Sequence, residues 1–465
     1  RIWRIADTEK QNKNLRERNM ENTEKNSFIT KFADFAAKLG NQIHLRTLRD
    51  AFATIMPLYI LAGLAVLLNN TVFTWIFSGE TLETFQYWGN LLVNGTLNIS
   101  GLLIAGVIGY CLAINREFEN PISCAVVAIA GLVVMMPMTV ELTSVNEITD
   151  TFSGVLPFSN LGTGSMFAGI IVGLLITEFF IWISRVKALQ INLGANVPPA
   201  VGKSFNVLIP VIIVLSVFAV VSTLLGKLAG TDLITLITTF IQEPLRHIGT
   251  SLWGTVILYT LGNLLWLFGI HQSVIYSSIL EPLLIININE NIAAFAAGEA
   301  IPNIINVSQV TSFGLLGGSG STICLLIATF IVGRNAATRN VAKLSIAPGL
   351  FNINEPVLFG YPIVYNISMA IPFLLVPVMG IIISYFATVT GIMRPCVALV
   401  PWTTPVLISG FLATAGDFMA VGVQAVVLIL GVLIYMPFVK INDRVMARQA
   451  ELAEEDDDDD VFDID

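Results

Sequence analysis

The chain has 465 residues, of which 55% are hydrophobic and only 12% are charged, about half the charged share of a soluble domain. This composition excludes a soluble globular fold and predicts an all-α polytopic membrane protein, with room for about ten transmembrane helices of about 20 residues each. The net charge of −9 comes largely from an acidic C-terminal run, so it indicates no partner, and we expect no nucleic-acid partner.

The four cysteines lie in or beside apolar runs and show no CxxC spacing: Cys111, Cys124, Cys324 and Cys396. This pattern argues against a disulfide scaffold or a zinc site. The cysteines are better explained as small apolar core residues. We therefore expect no metal site and no cofactor.

The N-terminal region begins with a polar arm, residues 1–26, and then changes character at Ser27. Apolar residues recur every three or four positions: Phe28, Phe32, Phe35, Leu39 and Ile43. This spacing predicts an amphipathic helix with Ser27 as its N-cap. Such a helix either lies along the membrane interface or packs on another subunit, and the sequence leaves both open. Since no apolar signal-peptide core precedes Ala51, we expect no cleaved secretory signal.

The first half of the chain contains five predicted spans, at about 50–68, 97–114, 121–140, 163–184 and 205–225. Lys and Arg occur before the first span and after the second and fourth. The connections 69–96 and 141–162 contain neither. Because Lys and Arg are in excess on the cytoplasmic side of membrane proteins, we expect both termini in the cytoplasm.

The second half is more interrupted. It contains a short segment at 233–241, predicted to be tilted or interfacial, and apolar runs at about 252–268, 274–290, 314–333, 366–388 and 419–438. The last residues, EEDDDDDVFDID, are predicted to be a solvated and disordered acidic end.

The chemistry is concentrated in LFNINEPVLFGYP, residues 350–362. A carboxylate within an apolar segment is costly in a bilayer, so Glu355 is a functional candidate. Prolines and a glycine break the helix here, and broken backbone at membrane depth requires a cavity lined by protein or water. We therefore expect a re-entrant loop with Glu355 at its tip, and Asn352 and Asn354 beside it, facing a polar substrate.

A second polar interruption, GNLLWLFGIHQS, contains Asn263, His271 and Gln272. An intramembrane histidine indicates a functional site, although a histidine that only joins two helices by hydrogen bonds is the alternative. In the stretch 314–333, Gly317 and Gly318 precede a predicted helix start that could offer N–H groups to an oxygen-rich ligand. Close helix packing through small residues explains these glycines equally well.

Trp402 lies in a third broken stretch, MRPCVALVPWTTP. Its indole could stack on a sugar, or it could belong to the aromatic belt at the membrane interface. A buried Glu, a His, several Asn and a glycine-rich turn, without rows of cations or carboxylates, indicate a neutral, hydroxyl-rich ligand such as a sugar. Glu355 would accept the proton of one sugar hydroxyl as a general base.

These motifs resemble those of a known family. FNINEPVLFG, with GIHQS upstream and GGSGST between them, is similar to the membrane-embedded IIC component of the sugar phosphotransferase system (PTS), lactose/cellobiose (N,N'-diacetylchitobiose) family. HLRTLRDAFATIMPLYILAG and VPPAVGKSFNVLIP also resemble this family, so that the likeness extends over about residues 28–448. One departure is Gln272, where the familiar form has glycine.

The resemblance implies ten spans, two re-entrant hairpins and a homodimer. It assigns dimer contacts to an N-terminal half, 27–230, and a sugar site that crosses the membrane as a rigid body to a C-terminal half, 231–440, followed by an acidic cytoplasmic tail, 441–465. It places His271 and Glu355 near the sugar's 6-hydroxyl, with Asn354 in the same motif. Gly317 and Gly318 would lie near the sugar.

The resemblance also implies a reaction. A disaccharide of the cellobiose, diacetylchitobiose or lactose type crosses the bacterial cytoplasmic membrane, and its 6-hydroxyl is phosphorylated by a phosphocysteine on a IIB protein. The chain would then be the membrane component of a protein-N(pi)-phosphohistidine–sugar phosphotransferase. No IIB domain is evident, so we expect IIB to be a separate partner. Two alternatives are a proton-coupled secondary sugar transporter and a sugar sensor that does not transport.

Overall fold

In this computed structural model, the structure describes residues 38, 42–143, 149–191, 202, 205–268, 271–361, 363 and 366–460. The predicted polar arm, residues 1–26, lies outside the described residues. So does most of the amphipathic helix predicted from Ser27.

The first half of the chain contains helices and one β-hairpin. The elements are α1 (Ile43–Leu67), α2 (Phe73–Ile76), α3 (Gly79–Asn94), α4 (Ser100–Asn115), α5 (Pro121–Val134), β1 (Thr139–Thr143), β2 (Thr149–Ser153), α6 (Phe158–Leu161), α7 (Met166–Ser184) and α8 (Leu208–Leu224). The strands pair antiparallel, with Val140 opposite Phe152.

The regular elements in the described part of the second half are all helices. They include α9 (Leu233–Ile237), α10 (Glu243–Gly249), α11 (Leu252–Trp266), α12 (Glu281–Ala297), α13 (Val307–Gly314), α14 (Thr322–Val332), α15 (Ala336–Leu350), α16 (Glu355–Gly360), α17 (Ile367–Val389), α18 (Ile408–Ala413) and α19 (Phe418–Asp460).

Within the described residues, eight helical stretches are long and apolar enough to cross a membrane: Ile43–Ile76, Gly79–Asn115, Thr163–Ser184, Leu208–Ala229, Gln272–Ala297, Val307–Val332, Ser368–Val389 and Phe418–Arg448. Shorter apolar helices occur at Pro121–Val134, Leu233–Gln242 and Leu252–Trp266. This confirms the prediction of an all-α polytopic membrane protein, apart from the small β-hairpin.

Three details differ from the sequence-based expectation. Residues 79–94 are helical rather than a loop, and Asn69 at the end of α1 holds this helix by donating from Nδ2 to the Gln86 carbonyl at 2.9 Å. The third span ends at Val134 because the chain then turns into β1. The acidic end is helical as far as Asp460, since the preceding run ARQAELAEE consists mostly of strong helix formers.

Glycines allow α4, α5 and α7 to pack closely. A Cβ on Gly169 would lie 2.3 Å from the Gly101 carbonyl oxygen, and one on Gly173 would lie 3.0 Å from the Ala105 carbonyl oxygen. These small residues are spaced four apart on both helices, the pattern by which membrane helices bring their backbones together. The first half is therefore held by backbone proximity as well as by side-chain packing.

Ion pairs join three helices at one end of the molecule. The Arg116 guanidinium pairs with Glu178 at 2.5 Å, and His44 Nε2 lies 2.9 Å from the same carboxylate. Asn115 Nδ2 donates to Thr47 Oγ1 at 3.1 Å. We call the end of the molecule that carries Arg116, Glu178 and His44 the basic end. Its bonds join the start of α1 to the C-terminal parts of α4 and α7.

Two helical hairpins, α11–α12 and α15–α16, enter the interior of the molecule from opposite ends. The stretch α13–α14 starts near Leu67, at the end of α1 far from the ion pairs, because Ile301 packs against the buried cluster that contains Leu67. It is long enough to cross a membrane, so it finishes on the side of the basic end, where Arg334 N–H donates to Asp443 Oδ2 at 2.6 Å. Because α15 begins directly afterwards, the hairpin α15–α16 enters from the basic end. The hairpin α11–α12 enters from the other end, since residues 250–252 share a surface depression with residues 302–305, which precede α13. The breaks of both hairpins therefore meet inside the molecule.

Candidate functional site

Three helix interruptions and one loop converge on a cavity of about 270 Å³. The interruptions lie between α11 and α12, between α13 and α14, and between α15 and α16, and the loop is residues 401–405. This volume is near the lower end of the range for small-molecule sites. The lining residues are Trp266, His271, Gln272, Tyr276, Ser277, Glu281, Thr311, Leu315, Gly318, Ser319, Asn352, Asn354, Glu355 and Trp402.

Asn352 joins three of these segments. Its backbone is left-handed, with φ of 62°, a conformation that asparagine adopts more readily than most residues. Its Oδ1 accepts from Gly317 N–H at 2.7 Å, and its Nδ2 donates to the carbonyls of Trp402 at 2.5 Å and Thr404 at 3.1 Å. The predicted substrate-binding Asn352 thus uses its amide to hold the cavity together.

Asn354 makes a second junction. Its Nδ2 donates to the Ser319 carbonyl at 2.8 Å, and the Ser319 hydroxyl accepts from Trp266 Nε1 at 3.1 Å. Gly318 has φ of 100°, and a Cβ there would lie 2.4 Å from Asn354 Cγ. Only glycine tolerates both the conformation and the approach.

The glycine-rich turn mainly satisfies its own backbone. Gly318 N–H donates to the Leu315 carbonyl at 3.0 Å, and Ser321 N–H donates to Gly318 at 2.9 Å. Together with the bond from Gly317 N–H to Asn352, this leaves few N–H groups for a ligand. The geometry therefore supports close packing as the reason for these glycines more than ligand binding through their N–H groups.

Glu355 is the first residue of α16 and is followed by Pro356, which suits the first turn because proline lacks an N–H. We expected a buried carboxylate, but its side chain is exposed, at the cavity surface. Within the described part of the chain, no ion pair involves Glu355. The carboxylate is thus available to a ligand.

His271 caps the short helical turn that follows it. Its Nδ1 accepts from Ser273 N–H at 3.1 Å, so a neutral ring carries its proton on Nε2 and is a donor there. The ring centroid lies 4.6 Å from that of Trp266, at 55°. The histidine is thus oriented by its own backbone and by an indole, while Nε2 remains a donor.

The structure brings together most of the predicted site residues and omits two. Glu355, His271, Asn354, Asn352, Gly318 and Trp402 line the cavity. Trp402 is 53% exposed. Asn263 does not line it, because it lies within α11 and is 1% exposed. Gly317 does not line it either, since its N–H is directed to Asn352.

Sequence reasoning missed several lining residues, namely Trp266, Tyr276, Ser277, Glu281, Thr311, Leu315 and Ser319. It noted Gln272 as part of a polar interruption and as a departure from a motif, but did not assign it to the site. These residues lie on the segments that flank the predicted helix breaks. Glu281, a second carboxylate in an apolar run, carried the same signal as Glu355. The others have ordinary polar, aromatic or apolar side chains, and only the fold places them at the cavity.

Two carboxylates, an imidazole donor, amides and two indoles around a small cavity suit a neutral ligand rich in hydroxyl groups. Hydroxyls both donate and accept, and indoles cover the apolar faces of sugar rings. Interrupted helices that meet inside a membrane protein are the architecture of substrate sites in transporters. Fold and cavity together define a membrane transport protein.

Comparison with known proteins specifies this class. The family model for the phosphotransferase system EIIC matches residues 49–377. The oligo-beta-mannoside-specific EIIC component of Bacillus subtilis (strain 168) is 33% identical over 423 residues, covering 90% of this chain and 94% of that protein. The cellobiose-specific EIIC component of Geobacillus stearothermophilus is 32% identical, covering 90% and 93%.

The fold agrees as well. The crystal structure of the transporter ChbC, the IIC component from the N,N'-diacetylchitobiose-specific phosphotransferase system, superposes with a TM-score of 0.83 at 31% identity. The match covers 90% of this chain and 98% of ChbC. The chain belongs to the EIIC family of the phosphotransferase system, as its motifs predicted.

Proposed function

We propose that this chain carries a β-linked disaccharide of the cellobiose type across the bacterial cytoplasmic membrane and presents its 6-hydroxyl for phosphorylation. The observation that supports this most is the cavity at the three helix breaks, which brings Glu355 and His271 to one site. The names of relatives, cellobiose-specific and oligo-beta-mannoside-specific, support a disaccharide built from six-carbon sugars.

In this proposal Glu355 is the general base and His271 positions the hydroxyl. The sulfur–phosphorus bond of a phosphocysteine on IIB breaks as the bond from phosphorus to the sugar's O6 forms. The hydroxyl proton passes to Glu355, and the cysteine leaves as a thiolate. His271 Nε2 donates to O6 and directs its proton toward the carboxylate. Asn354 and Trp402 hold the remaining sugar surface.

IIB is proposed to be a separate protein that docks at the basic end. A groove of about 820 Å³ lies there, lined by Arg334, Arg339, Lys440 and Arg444 beside Asp443. Lys343, which the sequence grouped with Arg334 and Arg339, does not line it. Four cations around one groove favour an acidic partner surface. This also supports a cytoplasmic location for the basic end and for both termini.

The docking proposal is tested by reversing charge in the groove. Arg334→Glu with Arg339→Glu should slow phosphotransfer from IIB at low salt and leave sugar binding unchanged, because no residue lines both the groove and the cavity. Lys187→Glu, at an exposed cation outside the groove, is the matched control. Unchanged phosphotransfer in the double variant would contradict docking at this groove.

The function itself is tested in vesicles that contain the full chain, with labelled cellobiose outside and phosphorylated IIB inside. We expect sugar 6-phosphate in the lumen only when phosphorylated IIB is present. Free sugar that accumulates without IIB, driven by a proton gradient, would instead establish the proton-coupled secondary transporter. Sugar binding with neither sugar 6-phosphate nor free sugar in the lumen would support a sensor that does not transport.

A further inference from the structure

The hairpin α11–α12 contributes polar atoms to the cavity that the protein does not satisfy. Gln272 Oε1 and Tyr276 Oη are buried and have no hydrogen-bond partner among the described residues. Both residues line the cavity, and they lie four positions apart on the helical segment that follows His271.

On the side of the cavity formed by Asn352, Asn354 and Ser319, the amide nitrogens and the hydroxyl already have partners within the protein. The amide nitrogens of Asn352 and Asn354 donate to backbone carbonyls, and the Ser319 hydroxyl accepts from an indole. Apart from the Glu355 carboxylate, the hydrogen-bonding capacity of these groups therefore remains on the side of His271 and Gln272. A buried polar atom without a partner destabilises the empty site, and a ligand that supplies the partner removes that penalty.

Gln272 is suited to this role by position and by chemistry. It follows His271 directly, so it adjoins the same part of a bound sugar. The last torsion of a glutamine side chain is soft, so the amide can turn its oxygen or its nitrogen toward the cavity. Either atom pairs with a hydroxyl, which both donates and accepts.

We propose that Gln272 is a specificity-determining residue whose amide binds a secondary hydroxyl of the sugar unit held by His271 and Glu355. This rests on the proposed function, since it assumes that a disaccharide occupies the cavity. A site built to bind a hydroxyl rejects an analogue that lacks it, because a polar group of the site is then left unpaired. Gln272 would thereby select among disaccharides that differ at that position.

The test is sugar binding by calorimetry to the purified full chain, with cellobiose and a set of its monodeoxy derivatives, each lacking one secondary hydroxyl. For one derivative we expect the wild type to bind about 5- to 100-fold more weakly than it binds cellobiose. Gln272→Met and Gln272→Ala should bind cellobiose and that derivative within about twofold of each other, because the partner of the hydroxyl is gone.

Gln242→Met is the matched control. Gln242 is likewise buried with an unpaired Oε1, but it is not a lining residue of the cavity. It should retain the full pattern of preferences. The two Gln272 variants differ in side-chain volume, so that either one suffices if the other fails to fold.

Two results would overturn the proposal. Gln272 variants that keep the wild-type preference for every hydroxyl would show that the amide does not contact the sugar. A uniform loss of affinity for all sugars would indicate a structural role. If the wild type binds cellobiose but the sugar is not phosphorylated when IIB is supplied, the proposed function is contradicted and the proposal for Gln272 is not. If the wild type binds no disaccharide, both proposals are contradicted.

Discussion

At the scale of single residues, Glu355 and His271 have different kinds of support. His271 is fixed by a backbone N–H on Nδ1 and by the Trp266 ring. Glu355 is positioned by the helix that it begins, and its carboxylate stays available to a ligand. This division suits a histidine that orients the substrate and a glutamate that exchanges a proton with it.

Glu355→Gln should therefore separate catalysis from binding. The amide keeps the size of the side chain and one accepting oxygen but cannot take a proton, so phosphorylation by IIB should fall about 10²- to 10⁴-fold. Cellobiose affinity should change much less. Sugar phosphate formation and calorimetry measure the two effects. Glu80→Gln, at an exposed first-turn glutamate of α3, is the control, and equal modest losses in both assays would assign Glu355 to ligand binding only.

Gly318 tests the close approach of the glycine-rich turn to Asn354. In Gly318→Ala the new Cβ would lie 2.4 Å from Asn354 Cγ, so Asn354 must move and lose its bond to Ser319. We expect about a tenfold loss of cellobiose affinity, the loss of about one hydrogen bond with its partner left buried. Gly422→Ala, where nothing lies within 4 Å of the new Cβ, should bind normally. Normal binding by both variants would contradict this account of the turn.

At the scale of elements, Asn352 connects the break between α15 and α16 to the glycine-rich turn and to the loop 401–405. Asn352→Ala removes three hydrogen bonds and should destabilise the protein by about 2–4 kcal/mol. Thermal unfolding in detergent measures this loss. Asn94→Ala, at an exposed residue of α3, should unfold at the wild-type temperature. An unchanged transition for Asn352→Ala would show that the segments are held by other contacts.

The sequence predicted the segments that form the site better than it predicted which further residues of those segments line the cavity. Glu355, Asn352 and His271 were found because polar residues that interrupt apolar runs are rare and costly in membranes. Ser319 and Thr311 were not found, because such residues are common in membrane helices and only long-range contacts place them at the cavity. Asn263 carried the same signal as His271, yet the helix turns it away from the site.

The fold could likewise be predicted only where local sequence determines it. Span number and the all-α class follow from apolar run lengths, which local sequence contains. The helix α3 was missed since its position depends on bonds to residues outside it, such as the one from Asn69, which the local sequence pattern does not show. The helical acidic end was missed because a run of like charges outweighed the helix formers that precede it.

At the scale of the whole molecule, α8 has few contacts with the rest of the chain. Its continuous span, Leu208–Ala229, contains the most apolar stretch of the eight spans in the described part of the chain, and only Pro210 and Val214 of α8 are buried. An apolar helix with so few internal contacts agrees with the homodimer that the family resemblance implies, with contacts through the N-terminal half. The contact itself remains a prediction.

Val220→Arg tests that prediction, since Val220 is 58% exposed on α8. A charge within a dimer contact should shift the protein to monomers, as measured by native mass spectrometry. Sugar binding should remain, because α8 does not line the cavity. Ile429→Arg, at a residue equally exposed on α19, is the matched control and should remain dimeric. A dimeric Val220 variant would place the contact elsewhere.

The bonds of Asn352 and Asn354 have a thermodynamic consequence. They join the walls of the cavity to one another, so on the proposed function the binding site keeps its shape whichever side of the membrane it opens to. Equal contacts give equal affinity on both sides, and a carrier of that kind only equilibrates free sugar. Accumulation must then be driven by the step that consumes free sugar on one side, so the direction of uptake is set by the phosphoryl donor and not by the carrier.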